Sequence, residues 1–120
     1  MLPDDPVLVI DDNADTRDAI TRLLQIRGHP VVTAKDGQEA LAYLRSGGRA
    51  ALIILDLYMP RLDGRLFRAA QLRDEALAEI PVIVFTVAVS ETLPDVDGFV
   101  RKNDPATLLA RVEQALGRAG

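Results

Sequence analysis

The stretch Leu52-Ile53-Ile54-Leu55-Asp56-Leu57-Tyr58-Met59-Pro60 decides the fold: an unbroken apolar run stops at one carboxylate, and Pro60 and Asp63-Gly64 punctuate the segment beyond it. The run is too short for a self-sufficient helix and shows no alternation. Bounded by Gly47-Gly48 before it and Pro60 after it, it has the pattern of a parallel strand covered on both faces. In open α/β sheets ligands lie beyond the carboxyl ends of the strands, near the point where strand order reverses. Asp56 stands at such an end. The alternative is that it only caps the turn into the next helix, as Asp often does.

Working outward, Val7-Leu8-Val9-Ile10 is a second compact apolar run tipped with acid, Asp11-Asp12-Asn13. From Asp15 to Arg27, Ala19, Ile20, Leu23, Leu24 and Ile26 fall at helical spacing opposite Arg17, Asp18, Arg22 and Arg27, and Gly28 ends the helix. His29-Pro30 turns the chain into Val31-Val32-Thr33-Ala34, with His29 expected at the surface. Asp36-Gly37 then leads into a helix from Gln38 to Leu44. Beyond Asp56 a helix from Gly64 to Arg73 is expected, packing through Leu66, Phe67, Ala70 and Leu72, with Arg61, Arg65, Arg68 and Arg73 on a solvated face and Arg61 and Tyr58 at the rim of the strand end. Pro81 suits the first residue of the apolar strand that ends at Thr86. Gly98 to Lys102 gives a short fifth strand, and Pro105 to Leu116 a closing helix with Asp104 as N-cap. Strands alternating with helices imply a parallel sheet between helical layers.

The 120 residues suit one domain, 1–120, without repeats or linkers. Hydrophobic residues make up 48% and charged residues 27%, as in ordinary soluble proteins. Cysteine is absent, which excludes disulfides, zinc–thiolate sites and a thiol nucleophile and fits the reducing cytoplasm. The beginning, Met1-Leu2-Pro3-Asp4-Asp5, lacks the pattern of an export signal, and no apolar run is long enough to span a membrane. A cytoplasmic protein is expected. A formal charge of −4 argues against direct nucleic-acid binding, which needs clustered Lys and Arg.

Polar residues thus stand at four predicted strand ends: Asp11 and Asp12, Asp56, Thr86 and Lys102. Three carboxylates brought together repel unless a cation lies between them, and hard oxygen ligands suit Mg²⁺. Mg²⁺ favours one or two carboxylates together with phosphate oxygens, so the missing ligand is expected to be a phosphoryl group. Lys102 supplies charge and Thr86 a hydroxyl donor for its other oxygens. Asp56 is then the natural nucleophile, forming an aspartyl phosphate.

On these residues the chain resembles the receiver domain of two-component response regulators over essentially its full length. The matching motifs, in chain order, are Asp11-Asp12, Asp56 with Met59-Pro60 and Asp63-Gly64, Thr86 and Lys102. The resemblance implies a flavodoxin-like doubly wound sheet of five parallel strands, order 2-1-3-4-5, with helices on both faces. It implies that Asp56 takes a phosphoryl group from a phosphohistidine on a sensor histidine kinase or a histidine phosphotransfer protein. It implies that Asp12 binds Mg²⁺ directly and Asp11 through water, with Asp56 and the backbone carbonyl of Tyr58 completing the protein ligands. Lys102 would pair with the phosphoryl group, and Thr86 would move towards it. Phe99 matches an aromatic position that rotates with that shift, although an aromatic in a short strand is usually core.

Three departures stand out. Only fifteen residues, 87–101, separate Thr86 from Lys102, and about 11 remain for a crossover once strand five is taken out. With Pro94 and Ser90-Glu91-Thr92 there, the fourth helix of the family is expected to be shortened or absent, which puts the usual partner face in question. Val87 stands where receivers usually have Ala or Gly, so slow phosphotransfer or a long-lived phosphoryl state is expected. Asn103 follows Lys102 where the family usually has a cis proline, and a trans bond is expected because cis before Asn costs about 3–4 kcal/mol.

The expected function is a Mg²⁺-dependent phosphoacceptor switch, not an enzyme acting on other molecules, which changes the affinity of a downstream protein partner in two-component signal transduction. One alternative is a degenerate receiver acting as a phosphorylation-independent interaction module, against which the intact acidic set argues. Another is a phosphohydrolase with an aspartyl nucleophile. Its usual second Asp is absent, because Tyr58 occupies that place.

Overall fold

Every predicted apolar run becomes a strand, and all five strands are parallel. A computed structural model describes residues 5–59, 63–87 and 96–117. Its strands are β1 (Val7–Ile10), β2 (Val31–Ala34), β3 (Leu52–Leu55), β4 (Val82–Thr86) and β5 (Gly98–Arg101), in the order β2-β1-β3-β4-β5. The described helices are α1 (Ala14–Ile26), α2 (Gly37–Arg45), α3 (Gly64–Arg73) and α4 (Pro105–Ala115). This is the doubly wound, flavodoxin-like arrangement. The crossover helix expected to be short or absent falls on residues 88–95, outside the described residues; α4 here is the closing helix.

The sheet is buried on both faces because successive side chains along each strand alternate between two cores. Leu8, Ile10, Ile53, Leu55, Val82 and Val84 meet Leu41, Leu44 and Phe67 on the side of α2 and α3. Val7, Val9, Leu52, Ile54, Ile83 and Phe85 meet Ile20, Leu24, Leu108 and Val112 on the side of α1 and α4. The helices begin where side chains satisfy their free N–H groups. Asn13, Asp36, Asp63 and Asp104 each accept from the backbone N–H three residues on, and Pro105 opens α4. Among the described residues no helix is long and apolar enough to cross a membrane.

Register sets where the polar residues emerge. Ile10 lies opposite both Ala34 and Leu55, Leu55 opposite Val84, and Thr86 opposite Arg101. Asp11, Asp56 and Lys102 each prolong the ladder by one step, donating their N–H to Ala34, Ile10 and Thr86. The ends of β1 and β3 flank the place where strand order reverses.

Three expectations about packing are corrected. On α3, Leu66 and Leu72 are 54% and 37% exposed, while Phe67, Arg68 and Gln71 are buried. The connection from α3 to β4 presents carbonyls that need donors, so a polar side chain wins the inward position. Gln71 Nε2 donates to Leu77 O at 2.9 Å and Ile80 O at 3.0 Å, and Arg68 Nη1 donates to Gln71 Oε1 at 2.8 Å. On α1, Ile26 is 82% exposed, because the helix ends there, past the edge of the core. His29, expected at the surface, is buried, with Nε2 3.1 Å from Glu113 Oε2 of α4. An acceptor from a helix distant in sequence offsets the cost of burying the ring.

Candidate functional site

The carboxyl edge of the sheet gathers Asp11, Asp12, Asp56, Thr86 and Lys102. Asp11, Asp12 and Asp56 bring carboxylate oxygens within 4.8 Å of one another. Asp11 and Asp56 are buried and Asp12 is exposed. Lys102 Nζ lies 2.8 Å from Asp11 Oδ2 and 3.2 Å from Asp56 Oδ2. One ammonium therefore bridges two buried acids. The other oxygens of both acids are held locally: Asp11 Oδ1 accepts from Asn13 N at 2.9 Å, and Asp56 Oδ1 from Tyr58 N at 3.2 Å. Thr86 is fully buried, and its Oγ1 has no hydrogen-bond partner among the described residues. Buried hydroxyls are normally satisfied, and this one, at the strand end, has no acceptor among the described residues.

Electrostatics sharpen the picture. Burial pushes the Asp56 carboxyl above the usual carboxylate range, and the negative charge of Asp11 adds to it; Lys102 and the Tyr58 N–H offset only part of this. Burial works against the Lys102 ammonium, yet its hydrogen bond to Asp11 and the charges of Asp56 and Asp11 outweigh that, and Lys102 holds its proton more tightly than an ordinary lysine. Both partners of one ion pair thus shift upward. Lys102 answers to two acids, whereas Asp56 shares its cation with Asp11 and still bears the cost of burial. A site with more buried negative charge than one lysine neutralises is suited to a further cation.

The turn after Asp56 is shaped by a close approach. A Cβ at Gly64 would collide with the carbonyl oxygen of Asp56 and stand 2.7 Å from Leu57 Cα. Gly64 N also donates to Leu57 O at 3.1 Å. Asp63-Gly64 is therefore cap and contact point at once, placing the start of α3 against the end of β3. Tyr58, at the rim, is 41% exposed, with the Arg65 guanidinium 5.3 Å from its ring centroid. Val87 projects into solvent at 69% exposure beside Thr86, and it lines a shallow hollow with Arg101, Lys102 and Asn103. The Lys102–Asn103 bond is trans, as expected. Phe99 is partly buried against the α2/α3 core. Arg61, expected at the rim beside Tyr58, falls outside the described residues.

Comparison with known proteins agrees with this arrangement. The profile of the response regulator receiver domain matches residues 7–113. The chain belongs to this family. Among relatives, the probable transcriptional regulator ycf27 of Porphyra purpurea is 35% identical over 121 residues, covering 94% of this chain and 48% of that protein. The response regulator MprA of Mycolicibacterium vanbaalenii is 39% identical over 93 residues, covering 76% of this chain and 39% of that protein. The receiver thus spans half or less of the length of these relatives. Among solved structures, the chemotaxis protein CheY4 of Vibrio cholerae superposes with a TM-score of 0.79 at 30% identity, covering 92% of this chain and 98% of that one.

Within the receiver, two contributors were not legible as site residues. Arg17 reads as part of the polar face of α1, yet its Nη1 donates to Asp11 O at 2.7 Å. Asn13, which stands in the sequence only as the end of the acidic tip, caps α1, and its N–H also holds Asp11. The signal for Arg17 is its spacing, one turn past the cap, from which a long side chain reaches back to the strand end.

Proposed function

We propose that this receiver accepts a phosphoryl group on Asp56 from a phosphohistidine of a sensor histidine kinase or histidine phosphotransfer protein, and that the added charge switches the binding of a downstream protein. The observation that carries the reading is the bridge from Lys102 to the buried Asp11 and Asp56, with the Thr86 hydroxyl, unpartnered among the described residues, at the end of the adjacent strand β4. A carboxylate oxygen of Asp56 attacks phosphorus, the bond from phosphorus to the imidazole nitrogen breaks, and its electron pair leaves with the imidazole. Lys102 Nζ then turns from the free carboxylate to the phosphoryl oxygens, and Thr86 Oγ1 gains the acceptor it lacks.

The acidic cluster fits Mg²⁺: Asp12, Asp56 and the Tyr58 carbonyl would hold it, with Asp11 through water. When bound, the ion neutralises charge on the transferring phosphoryl oxygens. Asp12 is the exposed member of the cluster, whereas Asp11 is buried and pairs more closely with Lys102 than Asp56 does. That difference supports Asp12 as the direct ligand.

The downstream target is inferred to be a protein, because a charge of −4 gives no phosphate-backbone footprint. The test is intact mass after incubation with acetyl phosphate, with and without Mg²⁺, for wild type and Asp56→Asn. One added phosphate that needs both Mg²⁺ and Asp56 is expected. An unlabelled wild type, repeated with a phosphorylated histidine donor, would leave an interaction module that works without phosphorylation.

A further inference from the structure

All four polar groups of Asp11 are engaged: N–H to Ala34 O at 3.1 Å, Oδ1 from Asn13 N at 2.9 Å, Oδ2 from Lys102 Nζ at 2.8 Å, and carbonyl O from Arg17 Nη1 at 2.7 Å. The last contact stands apart in kind. The other three come from the strand ladder, the helix cap and the ion pair, whereas Arg17 directs a charged guanidinium at a neutral backbone oxygen. Strand β1 ends at Ile10, and after Asp11 the chain has one residue, Asp12, before the cap of α1 at Asn13. Asp12 is exposed, and it follows directly on the peptide whose carbonyl Arg17 holds. Whatever fixes the peptide between Asp11 and Asp12 fixes the direction in which the Asp12 carboxylate leaves the chain.

We infer that Arg17 is a positioning residue of the cation site, holding the Asp11–Asp12 peptide so that the Asp12 carboxylate meets that of Asp56. The inference rests on the reading of Asp11, Asp12 and Asp56 as a Mg²⁺ site. It opposes the simplest electrostatic expectation. A guanidinium beside an acidic cluster repels Mg²⁺, so if charge were its whole effect, its removal would tighten binding, and more so at low ionic strength. As a positioning group it acts through geometry, and its removal weakens binding by a similar factor at low and high salt. Supporting contacts around metal ligands are typically worth roughly ten- to hundredfold in affinity.

The experiment is calorimetric titration of Mg²⁺ into wild type, Arg17→Met and Arg17→Lys at low and high ionic strength, with thermal melts of each. Met keeps the apolar stem and removes the donors, while Lys keeps a donor and the charge. Arg17→Met is expected to weaken Mg²⁺ binding about tenfold at both salt levels, with Arg17→Lys recovering most of the loss. Tighter binding by Arg17→Met at low salt, or unchanged affinity, overturns the inference. So does a loss that Lys does not recover and that follows the fall in melting temperature, since that is the mark of a purely structural residue. A wild type that takes up no Mg²⁺ refutes the cation-site reading itself and is distinguishable from all of these.

Discussion

Lys102 stands closer to Asp11 than to Asp56, at 2.8 Å against 3.2 Å. The lysine is thus anchored on Asp11 and leans toward Asp56, the proposed phosphoacceptor. It also occupies part of the negative field that a divalent ion needs. Lys102→Met is expected to tighten Mg²⁺ binding, the opposite sign to Arg17→Met, while lowering stability without metal by about 2 kcal/mol through lost charged hydrogen bonds. Titration calorimetry and melts with and without Mg²⁺ measure both; weaker Mg²⁺ binding by Lys102→Met counts against competition between the two cations.

Burial and the charge of Asp11 raise the Asp56 carboxyl, so between its unfolded and folded titration ranges the folded protein holds the extra proton. Stability from this group is therefore greatest on the acid side and falls as pH rises through that window. Asp56→Asn removes the penalty. Its melting temperature is expected to exceed that of wild type at neutral pH, by about 4 °C for each kcal/mol relieved, with the gap closing in acid. Melts across that pH range, without Mg²⁺, check it, and a gap that widens in acid contradicts the assignment.

Gly64→Ala sets two effects against each other. Helix propensity alone favours Ala by about 1 kcal/mol. The new Cβ, however, meets the Asp56 carbonyl and Leu57 Cα, which are backbone and yield little. Overpacking costs roughly 1–3 kcal/mol, so net destabilisation is expected, with slower labelling of Asp56 because its strand end is displaced. Denaturant melts and labelling rates test the two halves separately. A stabilised variant would mean that α3 can draw back freely.

Val87 is exposed beside Thr86, and its branched side chain borders the hollow that also touches Lys102. Val87→Ala is expected to speed both phosphorylation by acetyl phosphate and hydrolysis of the phosphoryl group by about threefold, ~0.7 kcal/mol of barrier. Equal rates in the two proteins would falsify a gating role for the valine.

What could be read from the chain was whatever depends on neighbours in sequence. The apolar runs announced β1, β3 and β4, and the residue ending or succeeding each one announced the constellation of Asp11, Asp56 and Thr86. The caps Asp104 and Gly28 marked a helix start and a helix stop. What could not be read depends on contacts that residue type does not announce, whether the partner is far along the chain, as Glu113 is from His29, or only a few residues away, as Asp11 is from Arg17. Nothing near His29 predicts Glu113 as its acceptor, so a turn histidine looked solvated. Nothing near Gln71 predicts that the carbonyls of Leu77 and Ile80 face it, so Leu66 and Leu72 looked like the inward residues of α3. Arg17 escaped notice for the same reason: its acceptor is a backbone atom, and backbone acceptors leave no trace in residue type.

The polar stitching beneath α3 has a consequence at the other end of that helix. Gln71 is bound to Leu77 O and Ile80 O, and Gly64, about 10 Å away along the axis, touches the Asp56 carbonyl. A helix seated only by greasy contacts can slide or roll at small cost. One anchored by directional bonds cannot, and α3 acts as a ruler whose zero mark is Gln71. The outer surface of α3 is therefore free to vary in sequence without shifting the site, while a change at Gln71, remote from any reacting atom, would be felt at Asp56.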